Sequence, residues 1–298
     1  MAKLSDPPWN PQFIFRSRMF DPLMPLAQRL AVFNDGWPSL DDYQHLLAEH
    51  PEPILTHHGI PLKIAAQGPR PVCLEEQYAS RIYLTGEIQT RRRNWHDFFQ
   101  LLTWLTFPKT KAAINAMHHH AAKARFAGTM DGGRRSPVEN MLSLFDEGGA
   151  IVVCSEPSLL QMMRDFDWKN LFWRHRAELV STMNCIIFGH ALYEKALAPY
   201  VGMTANSLLL PVDATFFSKT MHEQIKWIDE QSATVFINDR HYRSPRALAP
   251  LPILGLPGWD PCNELESYYD NTSYFRSGRT KSQRLQTIPD KVYKITDL

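Results

Sequence analysis

MNCIIFGHALYEKALA (183–198) is the stretch that decides the fold. Met183 to Phe188 is a short, continuous apolar run bounded by glycine, the pattern of a buried strand. Gly189 turns it directly into a helix that opens at His190. A strand feeding a helix through one glycine is the local unit of an α/β fold, where ligands gather outside the carboxyl ends of strands. His190 and Glu194 lie one helical turn apart, about 40° around the axis. Both can therefore reach one metal ion or share one proton.

Working outward, FDEGGAIVVC (145–154) predicts a turn into a second buried strand. Asp146 and Glu147 precede Gly148 and Gly149 there, and paired glycines let backbone come close to a cation or phosphate. The same residue types also serve ordinary tight turns. PLKIAAQ (61–67) and SLLLPV (207–212) are further strand candidates. Helices are predicted over 23–33, from an N-cap at Ser39 to His50, over 75–84, and from Lys109 to Phe126 with Gly128 as stop. Others follow from the Ser136-Pro137-Val138-Glu139 capping box, from Ser155 to Phe166, over 167–177, and from Phe216 to Glu230. The fold class is a helix-rich, mixed α/β single domain over residues 1–298 with a small central sheet. Its core covers about residues 22–245. An extended, Pro- and Trp-rich N-terminal arm precedes that core, and an irregular tail, 246–298, packs on it.

WHDFFQLLTWLTFP (95–108) is a dense aromatic helix stopped at a proline. At about 100° per residue, Trp95, Phe98, Phe99, Leu101, Leu102 and Leu105 share one broad apolar face. His96, Gln100 and Thr103 form the opposite, polar stripe. His96 is the candidate site residue of this helix, and Asp97 acts as a first-turn charge on its dipole. His118, His119 and His120 are consecutive, so their side chains fan apart and cannot all meet one ion. They are read as solvated or at the edge of the core, with His119 pointing away from the apolar face.

Composition narrows the classes. A hydrophobic fraction of 44% supplies a packed core, and a net charge of +1 gives no global attraction to nucleic acid or anionic membrane. Cys73, Cys154, Cys185 and Cys262 form no CxxC pair; Cys154 and Cys185 sit in apolar runs as small buried hydrophobes. No segment has the pattern of a signal peptide or a membrane span, so a reduced, cytoplasmic protein is expected. G-x-S-x-G, P-loop, G-x-G-x-x-G and HExxH motifs are all missing, which removes the best-known hydrolase, kinase and nicotinamide readings.

Five segments together carry a resemblance: TGEIQTR (85–91), WHDFFQLLTWLTFPKTKAAIN (95–115), SLFDEGGAIVV (143–153), FGHALYEKALAPY (188–200) and PLPILGLPGWDPCNE (250–264). The chain resembles, from about residue 7 to 280, the bacterial family catalogued as the domain of unknown function numbered three thousand and twenty-five. The resemblance implies a single-domain bacterial protein and no particular activity. The chain departs from the expected pattern at Gln100, where the family leads one to expect Asn. It departs again at Arg134-Arg135, where the family tends towards Gly-Arg-Gly.

The leading functional expectation is a hydrolase or transferase of a small or phosphorylated substrate. His190, His96, Asp146 and Glu194 are the candidate catalytic residues, with His190 as ligand or general base. Arg91, Arg93 and Glu147 are the candidate substrate contacts. A divalent Zn, Mn or Fe held by His190, Glu194 and Asp146 would activate water in the metal-assisted version. The alternative is an RNA- or nucleotide-binding module using Arg91, Arg92 and Arg93 with Trp259, Tyr268, Tyr269 and Tyr274 as stacking platforms. The third is a structural or regulatory protein whose aromatic tail is an interface. Convergence of His96, Asp146 and His190 in one cleft would favour the enzyme.

Overall fold

The computed structural model describes residues 7–128, 133–238 and 241–278. Two 3-10 stretches, Pro11–Phe15 and Arg18–Leu26, lead into the short helix α1 (Ala27–Leu30), and α2 (Leu40–Ala48) follows. Pro22 and Pro25 inside the second stretch remove backbone donors that an α-helix would need there. The N-terminal arm is thus wound and anchored, with Phe13, Met19, Phe20 and Leu23 buried. Ser39 caps α2 as expected, and within a full capping box: it accepts from the Asp42 amide while Asp42 accepts from the Ser39 amide.

Strand β1 (Lys63–Ala66), helix α3 (Tyr78–Thr85) and strand β2 (Glu87–Thr90) form a small parallel two-stranded unit. The aromatic helix α4 spans Trp95–Thr106, capped by Asn94, whose side chain accepts from the Asp97 amide. Phe107 and Pro108 break it, and the long helix α5 (Pro108–Gly128) begins at once. The N-terminus of α5 is capped from a distance. Asp229 accepts from the amides of Lys109 and Thr110 at 2.9 and 2.7 Å. Helix α6 (Pro137–Gly148) starts at the Ser136–Glu139 capping box and leads into strand β3 (Gly149–Cys154).

Helices α7 (Pro157–Asp165) and α8 (Arg176–Thr182) precede strand β4 (Met183–Ile187), and α9 (His190–Ala196) follows after one tight turn. Strand β5 (Thr204–Pro211), helix α10 (Met221–Asn238) and strand β6 (Ala249–Pro252) complete the set. The main sheet has the order β4-β3-β5-β6. Its central pair, β3 and β5, is parallel, and both outer pairings are antiparallel.

Every residue of β3 is buried, because both sheet faces are covered. Ala150, Val152 and Cys154 join a core shared with α4 and the N-terminal arm, while Ile151 and Val153 join another with Phe145, Phe188, Ile228 and Phe236. The helix-rich α/β class is confirmed. All four cysteines are free thiols, with Cys154 and Cys185 buried as expected.

Four local readings change. Asp146 and Glu147 lie in the last turn of α6, not in a turn, because that helix runs on until Gly149. Ser155 does not cap α7: Glu156 occupies the N-cap position and the Ser155 hydroxyl has no partner. The predicted helix over 216–230 divides into a 3-10 turn, Ala214–Ser218, and α10. Thr220 and Glu223 bond reciprocally there and start a new helix. Finally, part of the irregular tail supplies the edge strand β6. The C-terminal part of that tail, from 279 on, lies outside the described residues.

Candidate active site

Helix ends do most of the placing. His190 opens α9 directly behind β4, and Gly189 makes that geometry possible. A methyl group at Gly189 would collide with the Glu147 carbonyl and the Gly149 amide. This close approach of the β4–α9 turn to the α6–β3 turn carries Asp146 towards His190. Helix α4 packs on α9 and delivers His96 from its first turn. Lys111, one turn into α5, comes from the opposite side.

These side chains form a polar row, hydrogen-bonded throughout except between His190 and Asp146. Glu194 Oε2 lies 3.0 Å from His96 Nδ1, and His96 Nε2 lies 3.0 Å from His190 Nε2. His190 Nδ1 is 3.7 Å from Asp146 Oδ2, and Lys111 Nζ donates to Asp146 Oδ1 at 2.5 Å. Lys111 also donates to Gln100 Oε1 at 3.1 Å, and Gln100 Nε2 donates to the Tyr78 hydroxyl at 3.1 Å. The expected convergence of His96, Asp146 and His190 is present.

Burial sets the charges. Lys111 and Asp146 are an ion pair, the lysine side chain being 3% exposed. Burial works to raise the Asp146 carboxyl, but the Lys111 ammonium and His190 outweigh it and bring it down to about 2. Burial lowers the Lys111 ammonium, and Asp146 opposes that shift. His190, only 4% exposed, is pushed down by burial to about 3 and is neutral at physiological pH. His96 moves the other way: its hydrogen bond to Glu194 raises it, against the pull of burial.

The proton positions are limited by the partners. His190 Nδ1 makes no hydrogen bond, since Asp146 Oδ2 lies 3.7 Å away. In the Nε2-to-Nε2 contact one ring donates and the other accepts. With its hydrogen on Nδ1, His96 donates to Glu194 and accepts from His190; with a second proton it donates to both.

A cavity of about 320 Å³ opens onto this row, lined among others by Tyr78, His96, Gln100, Trp104, Lys111, Asp146 and His190. Arg91 and Glu147 line it as expected, but Arg93 does not. Arg93 is exposed, with φ at 53°, and Arg91 is tied to Asp97 by two guanidinium contacts of 2.9 and 2.7 Å. Glu194 stands behind His96 and is not among the lining residues. The expected metal set is strung along a line: Glu194 binds His96, and Asp146 binds Lys111. Among the described residues, no three His, Cys, Asp or Glu side chains are grouped to hold a metal ion.

Sequence reasoning missed several participants. Lys111, Asn115 and His118 follow one another at helical spacing on α5 and all line the cavity. His118 was set aside with its neighbours, yet it faces this cavity. His119, expected to point away, is buried against Ser80 and stacked on Tyr83. The spacing of 111, 115 and 118 was a readable stripe, obscured by the histidine triplet. The proposed stacking platform fails for a simple reason. Tyr269 and Tyr274 are buried and donate their hydroxyls to the Gly255 and Met203 carbonyls, while Trp259 and Tyr268 pack partly buried against the core.

The family described as a protein of unknown function (DUF3025) matches residues 65–279, and the chain belongs to it. No curated protein and no solved structure matches the chain. Among the described residues, no helix is long and apolar enough to cross a membrane.

Proposed function

We propose that this protein is an enzyme, a hydrolase or transferase that works on a small molecule by general acid–base chemistry in the α4–α5–α9 cavity. The observation that supports the reading is the Nε2-to-Nε2 contact of His96 and His190 at 3.0 Å. One imidazole of the pair donates and the other accepts, so a substrate atom entering between them meets a donor and an acceptor together. The hydrogen bond to Glu194 raises the His96 imidazole above its ordinary value. Asp146, held ionised by Lys111, places its charge 3.7 Å from His190 Nδ1. Both carboxylates act as positioning groups behind the two imidazoles, and nucleophilic attack would fall to water or to a second substrate.

The test has two parts. Nuclear magnetic resonance of ring-labelled histidine should show His96 titrating above the ordinary value, about 6.5, while His190 stays neutral down to pH 5. Two imidazoles titrating independently near the ordinary value would remove the unlike pair and the reading with it. The purified protein should then be screened on carboxyl-ester, glycoside and phosphate-ester substrates beside His96→Asn. Turnover should be lost in that variant by about 100-fold or more. Turnover retained in His96→Asn would place the chemistry elsewhere.

A further inference from the structure

Three residues of the cavity wall carry a buried polar atom with no hydrogen-bond partner: His190, whose Nδ1 lies 3.7 Å from Asp146, and Trp104 and Asn115. Trp104 is 1% exposed and Asn115 6% exposed, and both line the cavity. The indole Nε1–H of Trp104 makes no hydrogen bond, and neither does Asn115 Oδ1. The orientation of the carboxamide is not arbitrary. Its other end lies 2.8 Å from the Ala79 carbonyl, which only accepts, so that end must be the NH₂ and the oxygen is the open atom. Buried polar groups are nearly always paired in folded proteins, and a donor and an acceptor left open in one cavity call for a ligand.

Their neighbours define what such a ligand looks like. Lys111 Nζ sits 5.4 Å from the centre of the Trp104 ring, and Asn115 is one helical turn further along α5. The ammonium uses two of its three protons, on Asp146 and Gln100. One turn beyond, His118 lines the same wall. A group bound against all three would accept from Trp104 and Lys111 and donate to Asn115. A hydroxyl oxygen can do both, whereas an ionised carboxylate or fully ionised phosphate oxygen cannot donate.

Charge limits the rest of the ligand. Of the lining cations, Lys111 is paired with Asp146, Arg91 with Asp97, and Arg125 with Glu139. Arg135, exposed on the rim, contacts the Ser143 hydroxyl at 3.4 Å and no carboxylate among the described residues. Glu147 adds an exposed negative charge to the lining. The described lining thus offers one cation without a carboxylate partner at its rim, and no cluster of such cations for a polyphosphate.

We propose that Trp104, Lys111 and Asn115 form a hydroxyl-binding subsite, and that with Arg135 the cavity takes a small polyhydroxylated carboxylate, a compound of the sugar-acid class. This rests on the cavity being the substrate site of the acid–base reading, and it narrows that substrate. The hydroxyl group would sit at the inner wall near the imidazole pair, with the carboxylate at the rim.

The test is titration calorimetry of the full chain with gluconate and glucuronate, beside sorbitol, glucose 6-phosphate and adenosine monophosphate. At least one of the two acids should bind, more tightly than sorbitol and than either phosphate. Trp104→Phe and Asn115→Leu should each weaken it by about 5–10-fold, the effect of one buried hydrogen bond. Arg135→Ala, on the surface and safe for folding, should erase the preference for the acid over sorbitol. No binding of either acid, tighter binding of a phosphate, or an unchanged preference in Arg135→Ala would overturn the proposal. The histidine titration does not depend on these probes, so a failure here leaves the acid–base reading separately decided.

Discussion

Helix α4 buries both of its faces, and the two are built differently. On one side Phe99 packs against Phe13, Phe20, Trp95 and Tyr193, ring centres 5.3 to 6.0 Å apart. On the other, Gln100 and Thr103 are 6% and 0% exposed, yet they meet Lys111, Tyr78 and the backbone of α4 and of the turn before α9. The aromatic face needs only shape and apolar area, and it would tolerate a change of residue that kept its volume. The polar face needs each partner, because a buried charge or amide without one is costly. Burial alone therefore does not separate core from site. On α4 the one buried side-chain polar atom left unmatched among the described residues, Trp104 Nε1, falls on the cavity.

The comparison breaks most readily at its two strongest points. Phe99→Ala should cost about 3–5 kcal/mol, since it empties a fully packed aromatic position, and should leave the histidine titrations unchanged. Asp146→Leu should cost a similar amount, about 3–5 kcal/mol, because Lys111 is left charged and unpaired in a buried site. The two differ in rescue. Adding Lys111→Met to Asp146→Leu should restore most of the loss in urea unfolding, whereas Phe99→Ala has no polar partner whose removal could compensate. Failure of the double variant to recover would mean that the pair is not isolated in the way its geometry indicates.

Acidity sharpens the contrast, because the polar face alone should respond to it. His190 is held near 3 in the folded protein against about 6.5 in an unfolded chain. As pH falls below about 6.5 the unfolded chain takes up the proton first, so stability is full above that value and declines towards pH 3. Asp146, held near 2, adds a further loss as pH falls below its ordinary range. His96 has the opposite sign: its raised value gives stability that is complete below about 6.5 and is lost as pH rises through its folded value. Urea midpoints at pH 5 and pH 8 should therefore shift in opposite directions in His190→Asn and His96→Asn. A His190→Asn protein with an unaltered acid limb would contradict the buried, neutral imidazole.

How much of this could be read from the chain varies with the kind of signal. Helix α4 was legible to its ends, because a six-residue apolar face and Pro108 leave little alternative. His190 and Asp146 were legible as positions, since glycines at 148, 149 and 189 mark where strands meet helices. Their contact was not, because it depends on the collision-free approach at Gly189 between residues more than 40 apart. Lys111 was missed because a lysine in a helix usually points to solvent, and only the tertiary placement of Asp146 and Gln100 makes its burial acceptable. The start of α10 was available and overlooked: Thr220 and Glu223 have capping-box spacing, but the aromatic pair Phe216-Phe217 drew the boundary forward.

Gln100 offers the smallest and most discriminating change. Its carboxamide spans two partners, accepting from Lys111 Nζ and donating to the Tyr78 hydroxyl, each at 3.1 Å. The resemblance to the family leads one to expect Asn at this position, one methylene shorter. An Asn here keeps the amide but cannot reach both partners unless α3 or α5 moves. Gln100→Asn should therefore cost about 1 kcal/mol, one hydrogen bond's worth, measured by urea unfolding at pH 7. Tyr78→Phe should cost about the same, and the double variant little more than either alone, because both remove the same contact. If the two losses instead add, Asn at 100 has given up Lys111 rather than Tyr78. The buried ammonium would then have lost one of its two fixed partners, and Gln100→Asn should also disturb the titration of His190 through Asp146. That shift, present or absent, states which end of the polar face Gln100 holds in place.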